Sequence, residues 1–153
     1  MKRLLTVFAI SLALGMSASA ANVQNSIAAI SAFKCSMWAD VTGDLKEAQR
    51  LFDYGVKAGR QFLQDAEDGK FPTEEYTNTV PMVWSLNRGG PTVDFVLGKV
   101  YSKVADDAYD EVAKVNASGI VSLNTEDWTS SKDILKSRAQ TKYRNGNCKL
   151  IGM

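Results

Sequence analysis

The chain has 153 residues, 45% of them apolar and 23% charged, with 18 basic side chains against 17 acidic ones. That balance suits a packed globular domain and excludes both a disordered chain and one with an electrostatic footprint for nucleic acid or an anionic membrane. The absence of histidine removes Ser-His-Asp and Cys-His catalysis, His-ligated metal sites and a switch at mildly acidic pH, and no cofactor motif is found, so none is expected.

At the front, Lys2 and Arg3 precede an apolar run from Leu4 to Leu14, followed by Ser17-Ala18-Ser19-Ala20 and Ala21. A basic start, a short apolar core and an Ala-x-Ala motif predict a secretory signal peptide over residues 1–20, and the run is too short to anchor a membrane helix. Cleavage after Ala20 leaves residues 21–153 as a single helical domain, periplasmic or secreted, with no membrane span. No cysteine sits beside the cleavage site, so a lipid anchor on Cys35 is not expected. Cys35 and Cys148 are the only cysteines and lie near the two ends of that domain. In an oxidising compartment such an even pair predicts a structural disulfide.

The prolines, Pro72, Pro81 and Pro91, all fall in one segment, which divides the chain into two helix-compatible regions and an irregular connector. In the first region, Val23, Ile27, Ile30, Phe33 and Met37 predict a helix over 22–39, with a break at Thr42-Gly43. Asp44 and Glu47 resemble a capping box, with Asp in the place of Ser or Thr. Leu45, Ala48, Phe52, Gly55, Gly59, Phe62 and Ala66 then predict about six helical turns. Gly55 and Gly59 cost helix propensity, which makes sense if a backbone or a bulky ring packs tightly against them.

Gly89-Gly90-Pro91-Thr92 opens the second region, with Pro91 expected in the first helical turn. The stripe Val93, Val96, Leu97, Val100, Val104, Ala108, Val112 and Val115 predicts a helix ending near Gly119. Ser130 or Ser131 is placed to cap a last helix bearing Ile134, Leu135, Ala139 and Tyr143. Asn145-Gly146 is expected to end it through tolerance of positive φ. No stretch alternates convincingly as a strand. The expected fold is all-α: a small bundle of about four helices with a long irregular connector, closed by one disulfide.

The connector is the first candidate site. Long loops between helices are often functional, and interfaces favour Trp, Tyr, Met and Arg at their centres. Tyr76, Met82, Trp84 and Arg88 are therefore the expected contact residues. Arg88 with the amides of Gly90 and Thr92 forms a candidate cradle for a carboxylate or phosphate. The plainer alternative is a loop folded over the bundle, Trp84 filling its end and Arg88 pairing with a nearby acid. Asp106, Asp107, Asp110 and Glu111 share one helix, and a solvated face supported by Asp110 and Lys114 accounts for them. Asp65-Ala66-Glu67-Asp68-Gly69 does not fit an EF-hand loop, since its glycine comes one place early and its twelfth position is Tyr76. Ser31-Ala32-Phe33-Lys34 matches S-x-x-K without its companion motifs.

Cys35 with Trp38, Leu51-Phe52-x-x-Gly55-x-x-x-Gly59, Gly90-Pro91-Thr92-x-Asp94-Phe95-Val96-Leu97-Gly98 and Asn147-Cys148-x-Leu150-Ile151 resemble a group of small exported two-cysteine helical proteins of Gram-negative bacteria and phages. That resemblance implies export and a helical fold but no activity. More distantly, Tyr54-Gly55-x-x-x-Gly59 and the late cysteine are similar to helical periplasmic immunity proteins of type VI secretion, which bind and block an imported toxin. Those proteins carry a cysteine just before the aromatic-Gly pair, where this chain has Phe52 and Asp53. The functional expectation is a non-enzymatic periplasmic binding protein with a protein partner in the cell envelope, as an inhibitor or immunity factor. The alternatives are a small envelope hydrolase using a carboxylate pair and an envelope stress chaperone.

Overall fold

A computed structural model describes residues 18–70 and 79–153. Among these described residues five α-helices follow in chain order: α1 (Ala18–Thr42), α2 (Leu45–Glu67), α3 (Met82–Asn87), α4 (Val93–Ala113) and α5 (Lys132–Asn145). Two 3-10 turns, Thr125–Asp127 and Cys148–Leu150, complete the order. The all-helical bundle is closed by a disulfide between Cys35 and Cys148, whose Cα atoms lie 5.5 Å apart. Most of the expected signal segment, residues 1–17, lies outside the described residues.

The central element is α1, which packs against α2, α4 and α5. Its buried positions are mostly small: Ser26, Ala29, Ala32, Ser36 and Ala39 accompany Phe33 and Trp38. A helix flanked on several sides needs short side chains to let neighbouring backbones approach. For the same reason the expected Val-Ile-Ile stripe is only partly right, since Ile27 is 40% exposed. Two cross-links fix α1 against its neighbours: Ser36 Oγ donates to the Ala48 carbonyl at 2.7 Å, and Trp38 Nε1 donates to the Ala108 carbonyl at 3.0 Å.

The start of α2 follows the expected local chemistry. The turn at Gly43 has φ +87°, and Asp44 Oδ1 accepts the Glu47 amide hydrogen at 3.1 Å. The reciprocal half of the box is not formed, because the Glu47 carboxylate is engaged by Arg50 and Tyr143. The stripe of α2 is wider than the expected one, whose Ala48, Gly55, Gly59 and Phe62 are buried. Leu51, Ala58 and Asp65 are buried while Leu45 lies outside the core.

Gly55 and Gly59 do mark close approach. A Cβ at Gly55 would stand 2.6 Å from two atoms of the Phe33 ring and 3.3 Å from the Ala29 carbonyl oxygen. A Cβ at Gly59 would stand 2.5 Å from Leu97 Cδ1 and 3.1 Å from Trp84 Cη2. A fully buried ring and a backbone carbonyl cannot retreat, whereas the tip of a leucine can. Gly55→Ala is therefore expected to destabilise by about 1–3 kcal/mol despite a helix-propensity gain of up to about 1 kcal/mol. Gly98 of α4 faces open space, and Gly98→Ala is expected to stabilise by about 0.5–1 kcal/mol. Urea denaturation of the two variants checks both signs.

The connector is not wholly irregular, since α3 forms within it and inserts Trp84 into the core. Pro91 stands before the N-cap of α4 rather than in its first turn; Thr92 is the cap, its Oγ1 accepting from the Phe95 amide at 3.2 Å. The end of α4 is at Ala113, six residues before the expected stop at Gly119. There the Asn116 side chain accepts from the Ser118 and Ile120 amides at 3.0 Å, and Gly119 takes φ +76°. The chain doubles back through isolated antiparallel bridges pairing Val115 with Val121 and Lys114 with Trp128. A local Asx-type turn thus outcompetes the helical spacing of Val112 and Val115. Ser131 occupies the N-cap position of α5, but its side chain makes no capping hydrogen bond. The left-handed residue after α5 is Asn147, with φ 51°, and Gly146 is ordinary at φ −76°.

Two apolar clusters make up the core. One surrounds the disulfide with Trp38, Leu51, Val112, Leu135 and Ala139. The other surrounds Trp84 with Phe33, Phe62, Leu97, Val100 and Val104. Phe33, Phe52 and Tyr101 form an aromatic trio beside the second cluster, with ring centroids 4.9–6.2 Å apart. Among the described residues no helix is long and apolar enough to cross a membrane.

Candidate interaction surface

Pro81 stands at the N-cap position of α3, in which Met82 and Leu86, four residues apart, are exposed while Trp84 is buried. Met82 is 73% exposed and Leu86 74%. Arg88 follows at the helix end, exposed and with no ion pair among the described residues. Packed against α3, the first turn of α4 adds Phe95, half exposed. Lys99 donates from Nζ to the Gly89 carbonyl at 3.1 Å and lies 5.9 Å from the Phe95 ring centroid. Gly90 is needed here because a Cβ would collide with the Phe95 ring. The result is a ridge of exposed apolar side chains flanked by two cations on a short, well-anchored element.

Of the expected contact residues, Met82 and Arg88 lie on this ridge and Tyr76 lies outside the described residues. Trp84 is a correction. Its ring is fully buried, its Nε1 donates to the Ser26 carbonyl at 3.1 Å, and it packs 4.8 Å from the Phe62 ring centroid. It holds the ridge in place and is not available to a partner. The expected anion cradle stands beside a negative charge. The start of α4 already carries its own carboxylate, Asp94, bonded to Arg60 at 2.8 Å. That guanidinium holds the Asp94 carboxyl below its usual range.

The most perturbed titratable cluster is at the other end of the bundle. Arg50 reaches both oxygens of Glu47 at 2.7 Å and donates to the Ile151 carbonyl at 2.6 Å. Tyr143 donates to Glu47 Oε1 at 2.5 Å. The Arg50 hydrogen bonds, assisted by Tyr143, lower the Glu47 pKa against the opposing effect of burial. Burial, followed by the Glu47 hydrogen bond, pushes the Tyr143 hydroxyl up to about 12. Glu47 therefore stays ionised and Tyr143 neutral at ordinary pH. The cluster clamps α2, α5 and the carboxyl tail together and has no proton to exchange near neutrality.

The pH dependence follows from these directions. A raised tyrosine pKa gives stability that is complete below about 10 and lost as the pH climbs through about 12. The lowered Glu47 pKa gives stability present above the normal carboxylate range and lost as acid titrates the folded form. Tyr143→Phe is expected to remove one tyrosine from the high end of an ultraviolet pH titration and to flatten the alkaline loss of thermal stability. Glu47→Gln is expected to cost about 1–2 kcal/mol at neutral pH, since Glu47 is largely screened from solvent and hydrogen-bonded by charge. Urea denaturation measures it.

Three of the four acidic residues expected to share a face of α4, Asp107, Asp110 and Glu111, are paired. Lys103 binds Asp107, Lys114 binds Asp110 at 2.8 Å, and Glu111 takes Lys34 at 2.7 Å and Lys142 at 3.3 Å. Asp65 is buried and bonded to Lys70 at 2.7 Å. Among the described residues no cluster of three or more cysteine or carboxylate side chains is placed to hold a metal.

The sequence reading missed a second apolar group on the doubled-back segment after α4. Leu123 is 96% exposed and Ile120 65%, while Trp128 stacks near Lys114 and donates to the Ser122 carbonyl at 2.9 Å. Ile120, Val121 and Leu123 within a polar stretch were its only signal. Comparison of the chain with protein-family models, with curated proteins and with solved structures finds no match.

Proposed function

We propose that this is an exported periplasmic protein that acts by binding another protein in the cell envelope, as an inhibitor or immunity factor, and not by catalysis. The observation that carries this reading is the ridge of Met82, Leu86 and Phe95 beside Arg88, which has no ion pair among the described residues. Large apolar side chains held in solvent on a rigid element, next to a cation, have the composition of an interface centre. The signal-like amino terminus and the likeness to small exported two-cysteine proteins support the location. The distant likeness to immunity proteins supports the role. A carboxylate-pair hydrolase requires an acid held protonated near neutrality. The carboxyl groups of Glu47 and Asp94 are instead shifted downward by arginine partners.

The test uses the disulfide-intact protein as bait in periplasmic extract, compared with a Met82→Ser, Arg88→Ala variant. Both side chains are exposed, so the variant keeps the fold, which thermal unfolding verifies. A partner held by the wild type and lost by the variant supports the reading. Identical capture profiles remove the ridge from it, and lysis of purified cell wall by the wild type would replace binding with hydrolysis.

A further inference from the structure

A groove of about 500 Å³ runs between the second half of α1 and the first half of α2, with Tyr101 of α4 at its end. Its floor is apolar: Met37 and Phe52 are partly buried, and Leu45 is 68% exposed at its mouth. The Phe52 and Tyr101 rings meet edge-on at 4.9 Å and both rest against the fully buried Phe33. They are therefore fixed in place, with part of each side chain still exposed.

Most polar groups in the groove are already committed. Ser36 donates to the Ala48 carbonyl, and Gln49 donates to Asp53 at 2.8 Å. Asp40 differs: its side chain is exposed, and among the described residues it has no ion-pair partner and no side-chain hydrogen bond. No lysine or arginine lines the groove. Burial, and then the negative charge of Asp40, raises the pKa of the Tyr101 hydroxyl, so the field of that carboxylate reaches the aromatic end.

An unpaired carboxylate and fixed aromatic rings both attract a cation, and the apolar floor favours a hydrocarbon arm attached to it. An anion meets only repulsion from Asp40. The volume is within the range of small-ligand clefts. We propose that this groove is a binding site for a small organic cation, its ammonium head beside Asp40 and Tyr101 and its apolar arm along Met37, Leu45 and Phe52. The site is separate from the ridge on α3.

Benzyltrimethylammonium is the probe, titrated into the folded, disulfide-intact protein and followed by calorimetry and by backbone amide shifts. Saturable binding is expected, with the largest shifts at Met37, Asp40, Phe52 and Tyr101. Benzyl alcohol (arm without charge) and tetramethylammonium (head without arm) are each expected to bind at least about tenfold more weakly. Asp40→Asn is expected to weaken the probe about tenfold while leaving the melting temperature unchanged, and added salt should weaken it further. Phe52→Leu, which keeps the floor apolar, should weaken the charged probe but not benzyl alcohol. Absence of saturable binding overturns the proposal. So does equal affinity for benzyl alcohol, or an Asp40→Asn protein that binds the probe as the wild type does.

Discussion

A Cys35→Ala, Cys148→Ala double variant is expected to melt roughly 10–20 °C below the oxidised protein, a loss of about 4–5 kcal/mol. The bond joins residues 113 apart, so it removes much of the freedom of the unfolded chain, and loop-closure entropy grows with the logarithm of length. Both sulfurs are buried among Trp38, Leu51 and Ala139, so truncation adds a packing loss. Wild-type protein melted with reductant after partial unfolding isolates the entropic part, because its side chains are intact. Circular dichroism melts of oxidised, reduced and double-variant protein separate the two contributions. A double variant within about 2 °C of wild type would show that the Glu47, Arg50 and Tyr143 clamp alone secures the tail.

Trp84→Ala is expected to cost about 3–5 kcal/mol, the range for deleting a fully buried large aromatic side chain. The indole fills the space between Gly59, Phe62 and Leu97 and donates to Ser26. Its removal therefore opens a cavity and costs a buried hydrogen bond. Trp84→Phe should recover most of the loss, since it keeps the ring volume nearest Phe62 and gives up the indole donor. Urea denaturation followed by far-ultraviolet dichroism measures both. By contrast Met82→Ser and Arg88→Ala, at exposed positions, should each change stability by no more than about 0.5 kcal/mol. The contrast allows lost binding to be told apart from lost folding on one six-residue helix.

Features governed by neighbouring residues were legible in the sequence. Asp44 capping Glu47, the stop at Gly43 and the start of α5 after Ser131 depend on contacts within a few positions. The tight packing at Gly55 and Gly59 was legible because a costly glycine in a helix implies a neighbour that needs the room. Rotational phase was less so. Leu45 and Leu51 both fit a helical stripe, and only the placement of α1 across the face of α2 decides which is buried. The end of α4 was misplaced because Val112 and Val115 continue the apolar spacing while Asn116 turns the backbone away. Trp84 was read as a contact because an aromatic residue between prolines looks the same whether it faces a partner or plugs a core. Tyr143 and Glu47 are 96 residues apart, and Tyr101 and Asp40, which line one groove, belong to different helices; nothing local announces either proximity.

The covalent ring between residues 35 and 148 encloses all of α2, α3, α4 and α5. A protease that cuts one peptide bond anywhere inside that ring opens it without releasing a fragment, because each piece keeps one end of the sulfur bridge. The exposed segment around Leu123 can thus be nicked and the molecule still diffuses as a single body, its helices free to re-dock. Only a second cut, or a reductant, turns such damage into loss.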